Sequence, residues 1–497
     1  MLRTHPARRT LPAALALAFA SVPMAGLFAG TVAAADAARA RVSANAPWRV
    51  QRLATLVAAT RHDPAPFGTT LTVTNCNDSG PGSLRQALLD AQGSTSIQFA
   101  MACSTITLSS GALTDPNADS IRIAAPLRTV NGRPQPSITI DAAGHSRVIE
   151  HRSTGAMQLE GLALVNGRTL AINVDAKGGC VYSNGRVIAS GVTIAGCVAE
   201  ASENAAALGG GIWSDDAVGL VHSQVTGNVA QATASDGYSY GGGVFASSGF
   251  YAVFSTIDGN QATALGYGGG VGCRGPAAII SSSISGNSAA MGGGLGLFGG
   301  IGVESGDVYL ANSTVAQNTA SFFAGGIDVA AELTVHNSTI AGNNGFIAGR
   351  ANGIVVEGSH PITLVSTIVH GNAILDIDSA SSISGNANLV GASSVSLPAG
   401  TLNANPLLGT FDYHGGLTRS FDLQATSPAI DAGDNPLEFP CDQRGGTLVT
   451  LASFRMTGLR ERVAGVRADI GAFEFGAGER LFHNGFEPPD ETCYRER

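Results

Sequence analysis

Asp215 and Asp216 stand side by side in a Gly-rich stretch, and a carboxylate pair is what glycoside hydrolysis requires. Adjacent residues of a strand point to opposite faces, however, so these two would not share a groove. The equivalent positions one repeat later are Ser247 and Ser248, so no acidic ladder forms. The polygalacturonase-type signatures are absent apart from that bare pair. Lyase chemistry would want a Lys or Arg base near a calcium-binding acid cluster, yet Lys177, the single lysine, has none beside it. His145, His151, His222, His336 and His370 follow no metal or nucleophile spacing and are expected on the surface or at coil edges. No CxxC or paired-His spacing proposes a metal site. No catalytic residue is assigned, and no cofactor is expected beyond a Ca2+ ion that the later aspartates would suit.

Aromatic residues make a better case. Four residues before the aliphatic residue that leads each repeat come Lys177, Leu208, Tyr240, Tyr267, Met291, Phe323 and Arg350, with Tyr238, Phe322 and Phe346 on the same segments. Stacked in register they would form one column. Two readings stand: the column seals the edge of the fold, or it offers Tyr238, Tyr240, Tyr267, Phe322 and Phe323 as a platform for sugar rings or a protein partner.

The elements that would position this column repeat. Glycines and an aliphatic residue lead each unit at Ile212, Val244, Val271, Leu295 and Ile327. Ser-x-aliphatic-x-Gly-Asn closes it at Asn228, Asn260, Asn287, Asn343 and, with one residue inserted, Asn372; Asn318 follows Gln instead. The distance from lead to Asn is 16 for Ile212, Val244, Val271 and Ile327, and 16 again from Val181 to Cys197. Leu295 to Asn318 is 23, an insertion around Phe298–Gly306. The return from Asn to the next lead is elastic: 16, 11, 8 and 9 residues after Asn228, Asn260, Asn287 and Asn318. A constant half and an elastic half describe a rigid wall and a loop edge. With 66 Gly and 13% charged residues, the units suit strands and tight turns rather than helices. The fold expected is all-β, a right-handed parallel β-helix whose Asn column bonds from coil to coil, with a short N-terminal capping helix and an irregular C-terminal closure.

The ends differ from the middle. Residues 1–35 carry Arg3, Arg8 and Arg9, an apolar stretch and Ala33-x-Ala35, the pattern of a signal peptide; a membrane anchor is the competing reading, disfavoured by Pro12 and Pro23. Residues 36–69 form a linker, either a short amphipathic helix around Trp48–Val57 or an unstructured stretch. Removing the three arginines of the leader leaves 25 basic against 37 acidic residues, a charge of −12, which argues against nucleic acid as a partner. No transmembrane segment is expected after the leader. Seven cysteines imply an oxidising compartment, with Cys76–Cys103 and Cys180–Cys197 as candidate disulfides, Cys441 and Cys493 able to tie the tail, and Cys273 free. The odd count leaves the connectivity open.

Residues 70–145, the N-terminal cap and first coils, open a block reaching Gly167 that reads NCNDSGPGSLRQALLDA, in which Ser83 to Gln86 is a capping box, then ITLSSGALT, SITIDAAGHSRVIE and GLALVNG. This run resembles the N-terminal module named for its Cys-Ser-Leu-Arg-Glu-Ala signature, found on bacterial exported β-helix proteins. It differs in reading SLRQAL and in placing Cys76 earlier. Residues 401–475, after the repeats of 146–400, carry NPLLG, HGGLT, SPAIDAGD, DQRG and DIGAFE, which resemble in order the choice-of-anchor Q module. Asp431, Asp434, Asp442, Arg444 and Asp469 are expected there as a charged, hydrogen-bonded closure. The tail 476–497 resembles a short Gly-Phe-Glu ending of exported proteins in Gram-negative bacteria. The resemblances imply an extracellular or outer-membrane, cell-surface location. Three functions follow: an adhesin-like binder of a polysaccharide or surface partner, a polysaccharide lyase or hydrolase, or an autotransporter-like passenger.

Overall fold

The structure, a computed structural model, describes residues 67–100, 104–130, 133–234, 237–297, 306–346, 350–445, 447–450, 455–457 and 460–477. The leader, most of the linker, Cys103, Cys493, the tail from residue 478 and nearly all of the Phe298–Gly306 insertion lie outside these residues.

Each repeat closes one turn of a right-handed parallel β-helix and gives one strand to each of three sheets. The first sheet has 12 strands from Thr69–Val73 to Ile383–Asn386, the second 11 from Thr105–Thr107 to Leu389–Val390, and the third 10 from Leu113–Thr114 to Ile377–Ser379. The handedness follows from right-twisted strands returning to the same sheet. Inward positions of all three, such as Ile212, Val218, Leu220 and Val225, fill a single apolar core. The lead aliphatics pair one above another as Val181, Ile212, Val244, Val271, Leu295, Ile327 and Ile354. The count of 16 is thus the arc from the third sheet round to the end of the second.

Where that arc ends, the buried Asn column forms. Asn228 Nδ2 donates to Asn260 Oδ1, Asn260 to Asn287 and Asn287 to Asn318, each at 2.9 Å, and the run continues through Asn343 and Asn372 to Asp376. The preceding residue turns the chain with positive φ: 63° at Gly227 and 64° at Gly259, with Gln317 forced to 57° where Gln replaces Gly. A second, shorter column of hydroxyls lies at the corner between the first two sheets, where Ser223, Ser255, Ser282 and Ser313 each receive the backbone N–H of the coil before.

The last glycine of each lead phrase abuts the Asn of its own unit. A Cβ on Gly243 would lie 2.9 Å from Asn260 Cγ. In the first full unit cysteines fill both places, and Cys180 and Cys197 form a disulfide across the junction. Cys76 and Cys441 are also disulfide-bonded, and Cys273 is free and buried. A 17-residue span constrains the unfolded chain by about 3 kcal/mol. Replacing both Cys180 and Cys197 with Ser should therefore lower stability by about 2–3 kcal/mol, read as a shift of the urea midpoint. An unshifted midpoint would mean that stacking alone holds the junction.

The elastic half is not a set of loops. After each Asn the chain runs out as one limb and returns as another, and both limbs stack coil on coil into an 11-stranded sheet, here called the wing. Arg168–Ile172, Val198–Ser202 and Val229–Ala232 make the outgoing limb; Ala176–Lys177, Ala207–Leu208, Tyr238–Tyr240 and Leu265–Tyr267 make the returning one. Ala176, Ala199, Ala201, Ala207 and Ala230 pack between them, small enough to let two backbones come close. The wing narrows as the return shortens: at Ser288–Met291 one strand pairs with both limbs, Ser288 with Gln261 and Met291 with Tyr267.

The first coils are covered by the helix Leu84–Asp90, capped by Ser83, whose Oγ accepts the Gln86 N–H at 3.1 Å. Val395 and Leu397 close the far end of the core. The described residues between 405 and 477 fold back along the corner between the first two sheets. Thr418 donates to the Ser281 carbonyl, Gln443 to that of Ser282, and Asn312 to that of Cys441.

Candidate functional site

The aromatic column stands in register. Lys177 pairs with Leu208, Leu208 with Tyr240, Tyr240 with Tyr267, Tyr267 with Met291 and Met291 with Phe323. Tyr240 is the hub, its ring stacked 5.5 Å from Tyr267 and 6.1 Å from Tyr238 and edge-on to Phe245 at 6.2 Å. Ser239 turns inward between the two tyrosines, its Oγ taking the Ala232 N–H at 3.0 Å, and so holds both rings outward. Tyr240 and Tyr267 are half-buried, and burial raises both phenols, that of Tyr267 to about 12. They remain neutral donors at any physiological pH. Tyr238 and Phe322 are exposed. The sealing and platform readings therefore divide by residue: Tyr240 packs against buried neighbours, while Tyr238 and Phe322 face solvent.

A second ladder escaped the sequence reading. The residue directly after each lead aliphatic points out of the third sheet, giving Tyr182, Trp213 and Phe245 in consecutive register. Tyr182 stacks on Trp213 at 4.7 Å. Cations lie against this ladder: Lys177 Nζ is 4.5 Å from the Trp213 ring, Arg147 5.0 Å from Tyr182 and Arg274 5.4 Å from Phe245. Counting one residue past each lead would have found it. Beyond Phe245 the same column runs through Gly272 and Gly296 to Asp328. Asp328 is buried, and burial first, then the nearby Glu357 carboxylate, pushes its carboxyl up to about 7.

Asp215 and Asp216 fall in the turn after the third sheet. Ser247 Oγ reaches Asp215 at 3.4 Å, and Asp216 lies 4.0 Å from Arg186. No other carboxylate joins them among these contacts. Two histidines depart from expectation. His151 is fully buried, 2.7 Å from Asp115, because it occupies the inward position that Ser183 and Ser214 take in later coils. His222 is buried at the corner of the first two sheets with φ of 47°, parallel to Phe254 at 5.2 Å and beneath Arg133 and Leu417. Burial lowers its imidazole to about 3, so it stays neutral.

Four of the five C-terminal charges share one network. Asp442 accepts from the Arg444 guanidinium at 2.6 Å and from the Glu474 N–H at 2.9 Å. Asp469 accepts from the Asp431 and Phe475 N–H groups, and Asp431 from those of Val466 and Arg467. Asp434 stands apart: its carbonyl takes the Asn337 amide and the Ser366 hydroxyl at 2.7 Å, which docks the module on the helix. N–H groups and a guanidinium thus reach the carboxylates of Asp431, Asp442 and Asp469. Among the described residues no group of three or more His, Cys, Asp or Glu is placed to hold a metal ion, and no helix is long and apolar enough to cross a membrane.

No family model matches the sequence, and no curated protein matches it. Among solved structures, the crystal structure of pectate lyase Pel9A is similar at 12% identity and a TM-score of 0.42, the match covering 82% of this chain and 96% of that one.

Proposed function

We propose that this is an exported or cell-surface β-helix protein whose wing binds a polysaccharide or a surface partner. One observation carries the reading. Of the twelve exposed large hydrophobic residues among those described, seven lie between the second and third sheets: Leu170, Ile172, Val174, Tyr238, Phe322, Phe346 and Ile374. Exposed apolar and aromatic side chains gathered on one projection mark an interaction surface. The leader-like residues 1–35 and the resemblance of residues 70–145 and 401–475 to modules of exported β-helix proteins support the location.

Incubation of the purified chain with a panel of solid polysaccharides tests this. Retention should fall at least tenfold in Tyr238→Ala, whose exposed ring can be removed without opening the core, and further in Tyr240→Ala with Tyr267→Ala. Equal retention of all three variants alongside a lowered melting temperature would leave the column as a seal only. Unsaturated products or new reducing ends would instead establish a lyase or a hydrolase.

A further inference from the structure

At the N-terminal end of the parallel β-helix the first strand of each stack has one side left to cover. The helix Leu84–Asp90 covers the start of the core. At the third sheet Arg85 reaches the Gly111 and Ala112 carbonyls at 2.8 and 2.7 Å. At the returning limb of the wing Arg147 reaches the carbonyls of Lys177 and Gly178 at 2.7 and 2.9 Å. The outgoing limb is different. Its first strand, Arg168–Ile172, pairs on one side with Val198–Ser202. On the other side, among the described residues, only the Arg168 N–H is taken, by the Ser146 carbonyl at 2.8 Å. In a parallel ladder alternate residues turn their N–H and C=O to each side, so the groups between Thr169 and Ile172 that face away from Val198–Ser202 meet no backbone partner among the described residues. Leu170, Ile172 and Val174 beside them are 59%, 61% and 64% exposed.

We propose that this edge pairs antiparallel with the same edge of a second copy, across a two-fold axis at Ala171. The strand is self-complementary about that residue. Leu170 falls opposite Ile172 of the partner subunit on both sides of the axis, and the pairing stops there, because Asn173 leaves the strand with a φ of 58° and the Arg168 N–H is already taken. Leu170 and Ile172 share the solvent face, since Thr169 and Ala171 turn toward the alanines between the limbs. Both apolar pairs therefore close on the same side, and no like charges meet. Such an isologous contact closes on itself, which separates it from the open-ended stacking that free edges otherwise invite. Arg168 is held by Glu200 of the neighbouring strand at 2.6 Å.

Sedimentation equilibrium of the exported chain at tens of micromolar should return twice the chain mass. Leu170→Lys with Ile172→Lys should return the single-chain mass, with unchanged circular dichroism and urea midpoint. Mixing singly substituted Leu170→Cys and Ile172→Cys chains under mild oxidation should cross-link them far better than either alone, because antiparallel neighbours sit within disulfide reach. A wild-type chain that is monomeric throughout, or a lysine variant that remains dimeric, overturns the proposal. So does dimerisation that appears only after residues 36–66 are removed, which would assign the edge to that segment. Glycan retention is tested by substitutions at Tyr238, Tyr240 and Tyr267 and self-association by chain mass, so failure of one reading is distinguishable from failure of the other.

Discussion

Asn260→Ala should cost about 3–5 kcal/mol, more than any surface change in the molecule. Asn260 Oδ1 accepts the Asn228 backbone N–H at 3.0 Å and its side-chain amide at 2.9 Å, while Asn260 Nδ2 donates to the Val225 carbonyl and to Asn287 Oδ1, both at 2.9 Å. Alanine removes all four bonds. Two N–H donors of Asn228 are then left in a column where Asn228 and Asn260 are both fully buried, out of reach of water. Each orphaned buried group costs about 1–3 kcal/mol, and the small void adds to that. Because a solenoid's stability is close to a sum of neighbouring coils, the loss should also be local. Hydrogen exchange should quicken in residues 212–290 before it quickens at either end. A midpoint change worth less than 1 kcal/mol would mean that the Asn column is filler.

The comparison between reading and structure turns on that same column. A fixed count of 16 from lead aliphatic to Asn is enough to set the register of three sheets, because one slipped residue would turn every core side chain outward. The Asn and aromatic columns were legible for that reason. The wing was not, because its limbs differ in length from coil to coil and period is the only signal a single sequence offers. What holds the wing together is an alternation of alanines, Ala199 with Ala201 and Ala176 with Ala207, too small to register as a hydrophobic stripe. His151 was misplaced for a related reason. Its coil lacks the Gly-Gly lead phrase, so nothing in the sequence marks Ile149 as a member of the column that Val181 begins. The C-terminal module's course along the flank rests on contacts such as Thr314 to Gln443, 129 residues apart, which no local pattern announces.

Asp328 gives the last and most direct test, through the pH dependence of stability. Its carboxyl has an ordinary value of 3.8 and is pushed up to about 7 by burial, then by Glu357. The folded state therefore holds a proton that the unfolded state has released throughout that window. The stabilisation is complete below about pH 4, declines as pH rises, and is gone above about pH 7, with a full span on the order of 2–4 kcal/mol. Glu474, raised by burial to about 7, has the same sign. His222 has the opposite one: lowered to about 3 by burial, it adds stability as pH rises toward the unfolded value of 6.5. The wild-type curve alone would hide these terms against one another, so the decisive quantity is a difference. Asp328→Asn keeps the shape of the protonated acid and cannot ionise. It should match the wild type near pH 4 and exceed it by about 2–4 kcal/mol at pH 8, measured as urea midpoints across the range. Parallel curves would mean that Asp328 ionises freely in the folded protein, and that the third-sheet column is open to water at the position following Gly296.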